Sequence, residues 1–364
     1  MRILRLSLLL LLWTVPVSAR QITGIVSGPD GSPVPGATVF VHQTTLVTQS
    51  GPDGRFTLPA PPQFAYEVAA AADGFAPAGT RASQAAHTDL EVKLGEAWTP
   101  EGSPPDATLL DEFKITAFSY TRFSSDIVIE QPETLRITKD AGMGTLDVHA
   151  TAPFVFTNPA LGYRMTIHGF RLGGNAVAYG WSGWAYFESL TPQKSKDEKT
   201  WNSNRETTYE GSRRHFFASL MATDMKKQEW AAWFVGGPGA ADDHSPVLEA
   251  GLKSVYGDPQ PIRFPDDRPG VGRVDWAGWL RIKYFGDGGD GRWPKFIGRF
   301  WPVSDLSEVL ASEMHVSFVE LPTYQAFVDA TGVLLPSDAP ATRELGYWTF
   351  HRLADTLPYD WMPK

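Results

Sequence analysis

The chain has 364 residues, of which 42% are hydrophobic, 20% charged and 12% aromatic, a composition typical of a globular protein with at least two domains. It contains no cysteine, which excludes disulfides, thiol catalysis and cysteine-ligated metals. The formal net charge of −9 argues against nucleic acid as a partner, because phosphate binding needs clustered cations.

Residues 1–19 have the pattern of a secretory signal peptide. Arg2 and Arg5 precede an apolar stretch from Leu6 to Trp13, and small residues at 17–19 predict cleavage before Arg20. The apolar stretch is short for a membrane span, although a retained anchor is the alternative. We expect an exported chain that is periplasmic, outer-membrane-associated or secreted, with no transmembrane segment after cleavage.

Residues 20–95 are divided into short alternating segments by three turn-forming clusters, at Gly28–Gly31, Gly51–Gly54 and Asp73–Phe75. Each cluster contains a glycine that we expect at positive φ, namely Gly31, Gly54 and Gly74. Short strands at this spacing predict a small antiparallel β-sandwich.

Four motifs occur in order within this region: Gly24-Ile-Val26, Gly31-Ser-Pro-Val-Pro-Gly-Ala-Thr-Val39, Asp53-Gly-Arg-Phe56 and Asp73-Gly-Phe75. In this order they resemble the carboxypeptidase regulatory-like domain. The resemblance implies a transthyretin-like sandwich with a carbohydrate-binding-like fold, used as an accessory beside peptidases, transporters and surface proteins.

The peptidase chemistry that the family name suggests is missing. A zinc carboxypeptidase needs a histidine and a glutamate close in sequence, and none of the eight histidines has a glutamate three residues later. We therefore expect no metal, no cofactor and no carboxypeptidase activity.

Residues 96–108 are rich in proline and predict an extended linker. The remaining residues, 109–364, predict a mixed α+β domain, so that the whole chain is mainly β. Lys114–Phe123 has the alternation of a strand, and the aromatic-rich segment Val177–Leu190 predicts a strand or a hairpin. Asn204–Leu220 has helical spacing.

Further along the chain, Trp276–Tyr284 predicts one half-exposed strand. Three more helices are expected: one that begins near Ser304 or Asp305, one over Thr323–Ala330, and one from Tyr347 that ends at Pro358.

The second domain has its own resemblance. It is carried by Pro153-Phe-Val-Phe-Thr-Asn-Pro-Ala-Leu-Gly-Tyr163, by residues 201–216, by Gly346-Tyr-Trp and by Leu353-Ala-Asp-Thr-Leu-Pro358. These segments are similar to exported bacterial proteins that carry the same regulatory-like domain in front and have no assigned activity. The resemblance implies an architecture and transfers no catalytic residue.

The predicted helix 204–220 carries the strongest candidate site. Its spacing places Arg205, Tyr209 and Ser212 on one stripe and Asn204 and His215 on the stripe beside it. A cationic, hydroxyl-bearing surface of this kind suits an anionic or sugar ligand, and the alternative is ordinary packing. Ser212 and His215, one turn apart, would serve a hydrolase, but no Gly-x-Ser-x-Gly motif accompanies them.

Two further features are candidate binding sites. Trp279 shares its strand face with Arg281 and Lys283, so it is a candidate platform for a sugar ring. Asp287–Gly291 has two carboxylates that could approach calcium, but a glycine-rich turn is the simpler interpretation.

The sequence as a whole predicts an exported, non-catalytic accessory protein of the cell envelope that binds a glycan or a protein partner, with an unfamiliar hydrolase as the alternative.

Overall fold

The structure is a computed structural model that describes residues 20–235, 246–248, 262–286, 289–300, 315–337 and 342–364. The expected signal peptide at residues 1–19 lies outside these ranges. So do Asp287 of the Asp287–Gly291 turn and the expected helix start at Ser304 or Asp305.

The N-terminal domain is built entirely of strands: β1 (Gln21–Ser27), β2 (Thr38–Val41), β3 (Val47–Gln49), β4 (Arg55–Pro59), β5 (Ala65–Ala71), β6 (Phe75–Ala76), β7 (Ala78–Ser83), β8 (Leu90–Lys93) and β9 (Gly95–Glu96). One sheet has the order β4-β1-β8, a second has the order β3-β2-β5-β7, and β6 pairs with β9. The pairing is antiparallel except between β1 and β8, which are parallel.

The two sheets of the N-terminal domain enclose one apolar core that includes Ile22, Val39, Phe56, Val68 and Val92. The predicted sandwich is therefore confirmed. The turn glycines have the expected backbone, with φ values of +84° at Gly31, +75° at Gly54 and +82° at Gly74.

The second domain begins with α1 (Ala107–Phe118), β10 (Val128–Ile129), a 3-10 turn (Pro132–Thr134), β11 (Leu135–Lys139), β12 (Leu146–Ala150), β13 (Phe154–Asn158), β14 (Tyr163–Gly174) and β15 (Tyr179–Ser189). These strands form one sheet of order β10-β13-β14-β12-β11, with β15 paired to β14. Helix α1 packs on this sheet through Phe113, Ala117 and Phe118.

The chain then forms α2 (Asp197–Tyr209), α3 (Arg213–Ala222), β16 (Trp230–Val235), β17 (Pro246–Leu248), β18 (Arg263–Pro265), β19 (Val271–Asp275), β20 (Trp279–Tyr284), α4 (Trp293–Phe300), β21 (Val316–Glu320), β22 (Gln325–Asp329), β23 (Arg343–Gly346), α5 (Tyr347–Phe350) and a 3-10 turn (Leu353–Asp355). Two more sheets result, of order β17-β16-β20-β21-β23 and β18-β19-β22. Strands and helices are thus mixed in this domain, as predicted.

Several predicted elements of the second domain are wrong in type. Lys114–Phe123 was expected as a strand, but its first half, Lys114–Phe118, is the end of α1. The Asp106 side chain accepts a hydrogen bond from the Leu109 N–H and caps a helix that begins before the alternating residues. Thr323–Ala330 was expected as a helix but forms β22, whose pairing with β19 buries Ala326 and Val328.

Other elements exist with different limits. The strand expected over Trp276–Tyr284 begins only at Trp279, because Gly278 turns the chain at φ +76° and separates β19 from β20. The final helix expected from Tyr347 to Pro358 ends at Phe350 and is followed by the short 3-10 turn.

The linker expected over residues 96–108 is shorter in the structure, because Glu96 belongs to β9 and α1 begins at Ala107, and the two domains that it joins are in contact. The Ala185 carbonyl of β15 accepts from the Gln43 N–H at 2.7 Å, and the Phe187 N–H donates to the Thr44 carbonyl at 2.8 Å. The Ala185 N–H donates to His42 Nδ1 at 3.0 Å. The segment His42–Thr44 of the sandwich is thus hydrogen-bonded along the β15 edge of the second domain's sheet.

Apolar contacts reinforce this junction. Phe40 is fully buried and its ring lies 4.9 Å from the ring of Tyr186, measured between centroids. A Cβ on Gly79 would lie 2.5 Å from the Trp184 ring, so only glycine permits this approach. The Thr45 N–H also donates to the Asp360 carboxylate at 3.0 Å, which ties the sandwich to a late segment of the chain.

None of the helices in the described ranges has the length and apolar content that crossing a bilayer requires.

We expect Phe113→Ala to destabilise the second domain by about 3–5 kcal/mol, because the ring is fully buried and contacts the rings of Phe118, Phe154 and Phe170. Urea unfolding measures the loss. The control is Met143→Ala, at a side chain that is 73% exposed, which should change the free energy of unfolding by less than about 0.5 kcal/mol. Equal losses in both variants would contradict this assignment of the core.

Candidate functional site: the interdomain cleft

A large cleft of about 1910 Å³ lies where the sandwich, the sheet of β14 and β15, and the C-terminal segment meet. Its wall includes His42 of the sandwich, Trp181 of β15, Ser212 before α3, and His351 and Asp355. Residues from both domains therefore form one site, and neither domain alone would form it.

The helix expected over residues 204–220 is two helices. Gly211, at φ +73°, breaks it between α2 and α3, and a Cβ there would lie 2.9 Å from the Tyr284 ring. The Ser212 side chain caps α3 by accepting from the His215 N–H at 3.2 Å. The single stripe of Arg205, Tyr209 and Ser212 is therefore wrong, since these residues do not lie on one continuous helix.

Asn204 and Arg205 hold the turn between β13 and β14. The Asn204 amide donates to the Ala160 carbonyl at 2.7 Å, and Arg205 Nε donates to the Leu161 carbonyl at 2.8 Å. The Arg205 guanidinium also stacks on the Tyr163 ring at 3.9 Å from its centroid. Neither residue lines the cleft. The buried Arg205 guanidinium is bound by groups of the chain itself and is not exposed to a ligand.

Tyr209 and Ser212 do line the cleft, whereas His215 lies behind them. His215 is buried, with Nδ1 accepting from the Gly211 N–H at 3.1 Å and Nε2 within 3.1 Å of Gln228 Oε1. Burial lowers the pKa of His215. Because both ring nitrogens have partners other than the Ser212 hydroxyl, the two side chains do not form a nucleophile and base.

The adjacent residues Arg213 and Arg214 also form hydrogen bonds within the chain. Arg213 donates to Glu344 at 2.9 Å. The half-buried Arg214 guanidinium donates to the carbonyls of Pro358, Tyr359 and Trp361 at 2.8–3.0 Å. Arg214 thereby fixes the C-terminal segment that carries Asp360 against α3.

Trp279 does not lie in the cleft. It is partly buried in β20 and packs against the cluster that contains Trp293 and Phe296. The predicted alternation along this strand is correct, because Leu280, Ile282 and Tyr284 are buried. The Trp279 ring, however, packs inside the protein and is not free to stack on a sugar. The predicted site residues are thus divided among three places.

Sequence reasoning missed Trp98, the most exposed tryptophan on the cleft wall. Its side chain is 59% exposed, and the Arg171 guanidinium lies 4.8 Å from its ring centroid. Exposed tryptophans stack on ligands in many binding proteins. Trp98 lies in the proline-rich segment expected as a linker, where a large aromatic residue is unusual, and that composition was the available signal.

The pair His351 and Asp355 was also missed. His351 Nδ1 lies 3.7 Å from Asp355 Oδ2, beyond hydrogen-bond distance. Within the described part of the chain, neither Asp355 oxygen nor His351 Nδ1 has a hydrogen-bond partner, although all three atoms are buried. Burying polar atoms without hydrogen-bond partners is costly, and because these three atoms are buried they do not face the open volume of the cleft.

The histidines at the domain junction are held neutral. Burial lowers the pKa of His42 and that of His168 to about 4. His42 Nδ1 must be unprotonated to accept from the Ala185 N–H, so the junction itself favours the neutral ring. No group of three or more His, Asp or Glu side chains among the described residues is arranged to hold a metal ion.

Comparison with protein-family models matches residues 21–95 to the carboxypeptidase regulatory-like domain. The match covers the sandwich and confirms the resemblance seen in its motifs. No curated protein matches the chain.

We expect Ser212→Ala to destabilise the protein by about 1 kcal/mol, because it removes the cap of α3. The matched control is Ser212→Asn, whose side-chain oxygen can still accept from the His215 N–H. Thermal unfolding should rank wild type and Ser212→Asn together above Ser212→Ala. The capping role would be refuted if the asparagine variant lost as much stability as the alanine variant.

We expect the junction to weaken in acid. The pKa of His42 is about 4 in the folded chain and near 6.5 when unfolded, so its contribution to stability is present above about pH 6.5 and is lost as the pH falls towards 4. His42→Asn keeps an acceptor but does not titrate. Between about pH 7 and 4.5, wild type should lose roughly 1–2 kcal/mol more than the variant in urea unfolding, and equal losses would contradict the role of His42.

Proposed function

We propose that this chain is an exported, non-catalytic accessory protein of the cell envelope that binds a glycan or a protein partner in its interdomain cleft. The observation that carries the proposal is the cleft itself, at about 1910 Å³ and lined by both domains. Binding sites are usually concave, with aromatic side chains and a few polar groups, and they occur preferentially between domains.

The lining of the cleft supports binding. Trp98 is exposed, and Trp181 and Trp184 of β15 are partly exposed on the same wall. The same lining carries polar groups, among them the exposed side chains of Asp73 and Ser182. Aromatic rings beside exposed polar groups suit a ligand with both apolar faces and hydrogen-bonding groups, as sugars and peptides have.

The structure gives the hydrolase alternative less support. It depended on Ser212 and His215, and both side chains serve the α2–α3 junction. The accessory role also agrees with the regulatory-like family of the sandwich, although a domain family does not by itself fix a function.

We expect Trp98→Ala to weaken ligand binding by roughly tenfold or more, since the loss of one stacking contact is worth about 1.4 kcal/mol. The full mature chain would be screened on a glycan array and against a random peptide library displayed on phage, and each ligand found would be measured by calorimetry. Trp279→Ala is the matched control, because that tryptophan lies outside the cleft, and it should bind as wild type does.

The proposal fails if neither library gives a ligand for wild type. It also fails if Trp98→Ala and Trp279→Ala bind a ligand equally well, because binding would then not depend on the cleft wall.

A further inference from the structure

Strand β15 lies at the edge of its sheet, and among the strands of the described ranges it pairs with β14 alone. In an antiparallel pair, alternate residues turn their N–H and C=O towards the neighbouring strand, and the residues between them turn these groups away. Ala185 and Phe187 belong to the outward set, because their backbone groups bind the sandwich.

Counting back by two from Ala185, the outward set continues through Gly183, Trp181 and Tyr179. The hairpin before β15 gives the same alternation. The Asn175 N–H donates to the Ala178 carbonyl at 2.8 Å, so Ala178 turns its backbone groups towards β14 and Tyr179, the next residue, turns them away. The register of this ladder shifts between His168 and Arg171, where β14 has one residue more than β15. Because the inward orientation of Ala178 before the shift and the outward orientation of Ala185 after it fit a single alternation, the alternation of β15 is the same on both sides.

The two halves of this edge differ in their partners. The sandwich hydrogen-bonds the half at Ala185 and Phe187. Within the described ranges, the outward backbone groups of Tyr179, Trp181 and Gly183 form no hydrogen bond to any other element. All three residues line the cleft, so the unpaired half of the edge faces its open volume.

We propose that the cleft binds an extended polypeptide segment of a partner protein, which adds a strand to β15 at residues 179–183. This inference rests on the proposed function and selects the protein partner over the glycan. It follows from continuity with an interface already present, because the incoming strand would extend the row of hydrogen bonds that the segment His42–Thr44 makes to the same edge.

The side chains along the edge define the chemistry of the partner. Residues that pair across two strands share a face, so the partner residue opposite Trp181 would contact its ring and should be apolar. Its neighbours would face Gly180 and Ser182, which are small and exposed and leave room for varied side chains. The expected ligand is therefore a strand-forming segment with an apolar residue at its centre.

A pair of variants at one position separates backbone pairing from stacking on the ring. Trp181→Ala removes the ring and keeps the N–H, whereas Trp181→Pro removes both. Proline is tolerated on an edge strand where the N–H points away from the sheet, as it does here. Circular dichroism and urea unfolding would verify that both full-length variants fold.

The probe is the set of peptides selected from the phage library on the wild-type chain. We expect Trp181→Pro to weaken their binding at least tenfold relative to Trp181→Ala. Hydrogen exchange should show the Trp181 and Gly183 amides exposed in the free protein and protected when peptide is bound.

Four results would overturn the inference, and they have different meanings for the proposed function. Equal peptide affinity in the two Trp181 variants, or amides already protected in the free chain, excludes strand addition. Glycan binding that both variants lose equally, without peptide binding, leaves the proposed function standing with a sugar ligand. Absence of any ligand for wild type rejects both.

Discussion

The hydrogen bonds between the His42–Thr44 segment and strand β15 are the contacts on which the arrangement of the two domains depends. A sheet edge exposes backbone groups that need partners, and the sandwich supplies them for half of this edge. Because the sandwich covers only that half, a cleft remains beside the other half. The candidate site is thus a consequence of incomplete edge pairing.

Buried and half-buried arginines stabilise the loops around this junction. Arg205 donates to the turn before β14, Arg214 to the carbonyls after residue 357, and Arg352 to the carbonyls of Thr116 and Ala176. Each guanidinium satisfies several carbonyls that no regular element would satisfy. Burial lowers the pKa of Arg352 to about 10, which leaves the side chain charged at neutral pH. These cations explain how an irregular domain maintains its shape, and they are not available to an anionic ligand.

The sandwich could be predicted from the sequence because its turns and strands are each determined by residues that are close together in the chain. Each turn cluster determines a backbone conformation within four residues, and the alternation between turns specifies which side chains enter the core. The second domain was less predictable, because β22 depends on pairing with β19, some fifty residues earlier in the chain. In the same way, α1 depends on a cap at Asp106 that lies in a segment interpreted as a linker.

The candidate site was less predictable still. Its wall combines Trp98, Trp181 and Asp355, which come together only through tertiary contacts. One local signal was nonetheless present in β2, where Phe40 lies between Val39 and Val41 with all three buried. Successive side chains of a strand point to opposite faces, so three apolar residues in a row indicate that both faces are buried. The pattern in β2 therefore indicates that another part of the protein packs on the outer face of the sandwich.

The packing of Phe40 on Tyr186 joins the sandwich to a strand that follows much later in the chain. The sandwich encloses its own apolar core without Phe40, so it can fold before β15 has formed. In such an intermediate the Phe40 ring is exposed to water. Until the two domains dock, the partly folded chain therefore presents an apolar surface that favours aggregation, and a substitution that slows docking should lower the yield of refolding.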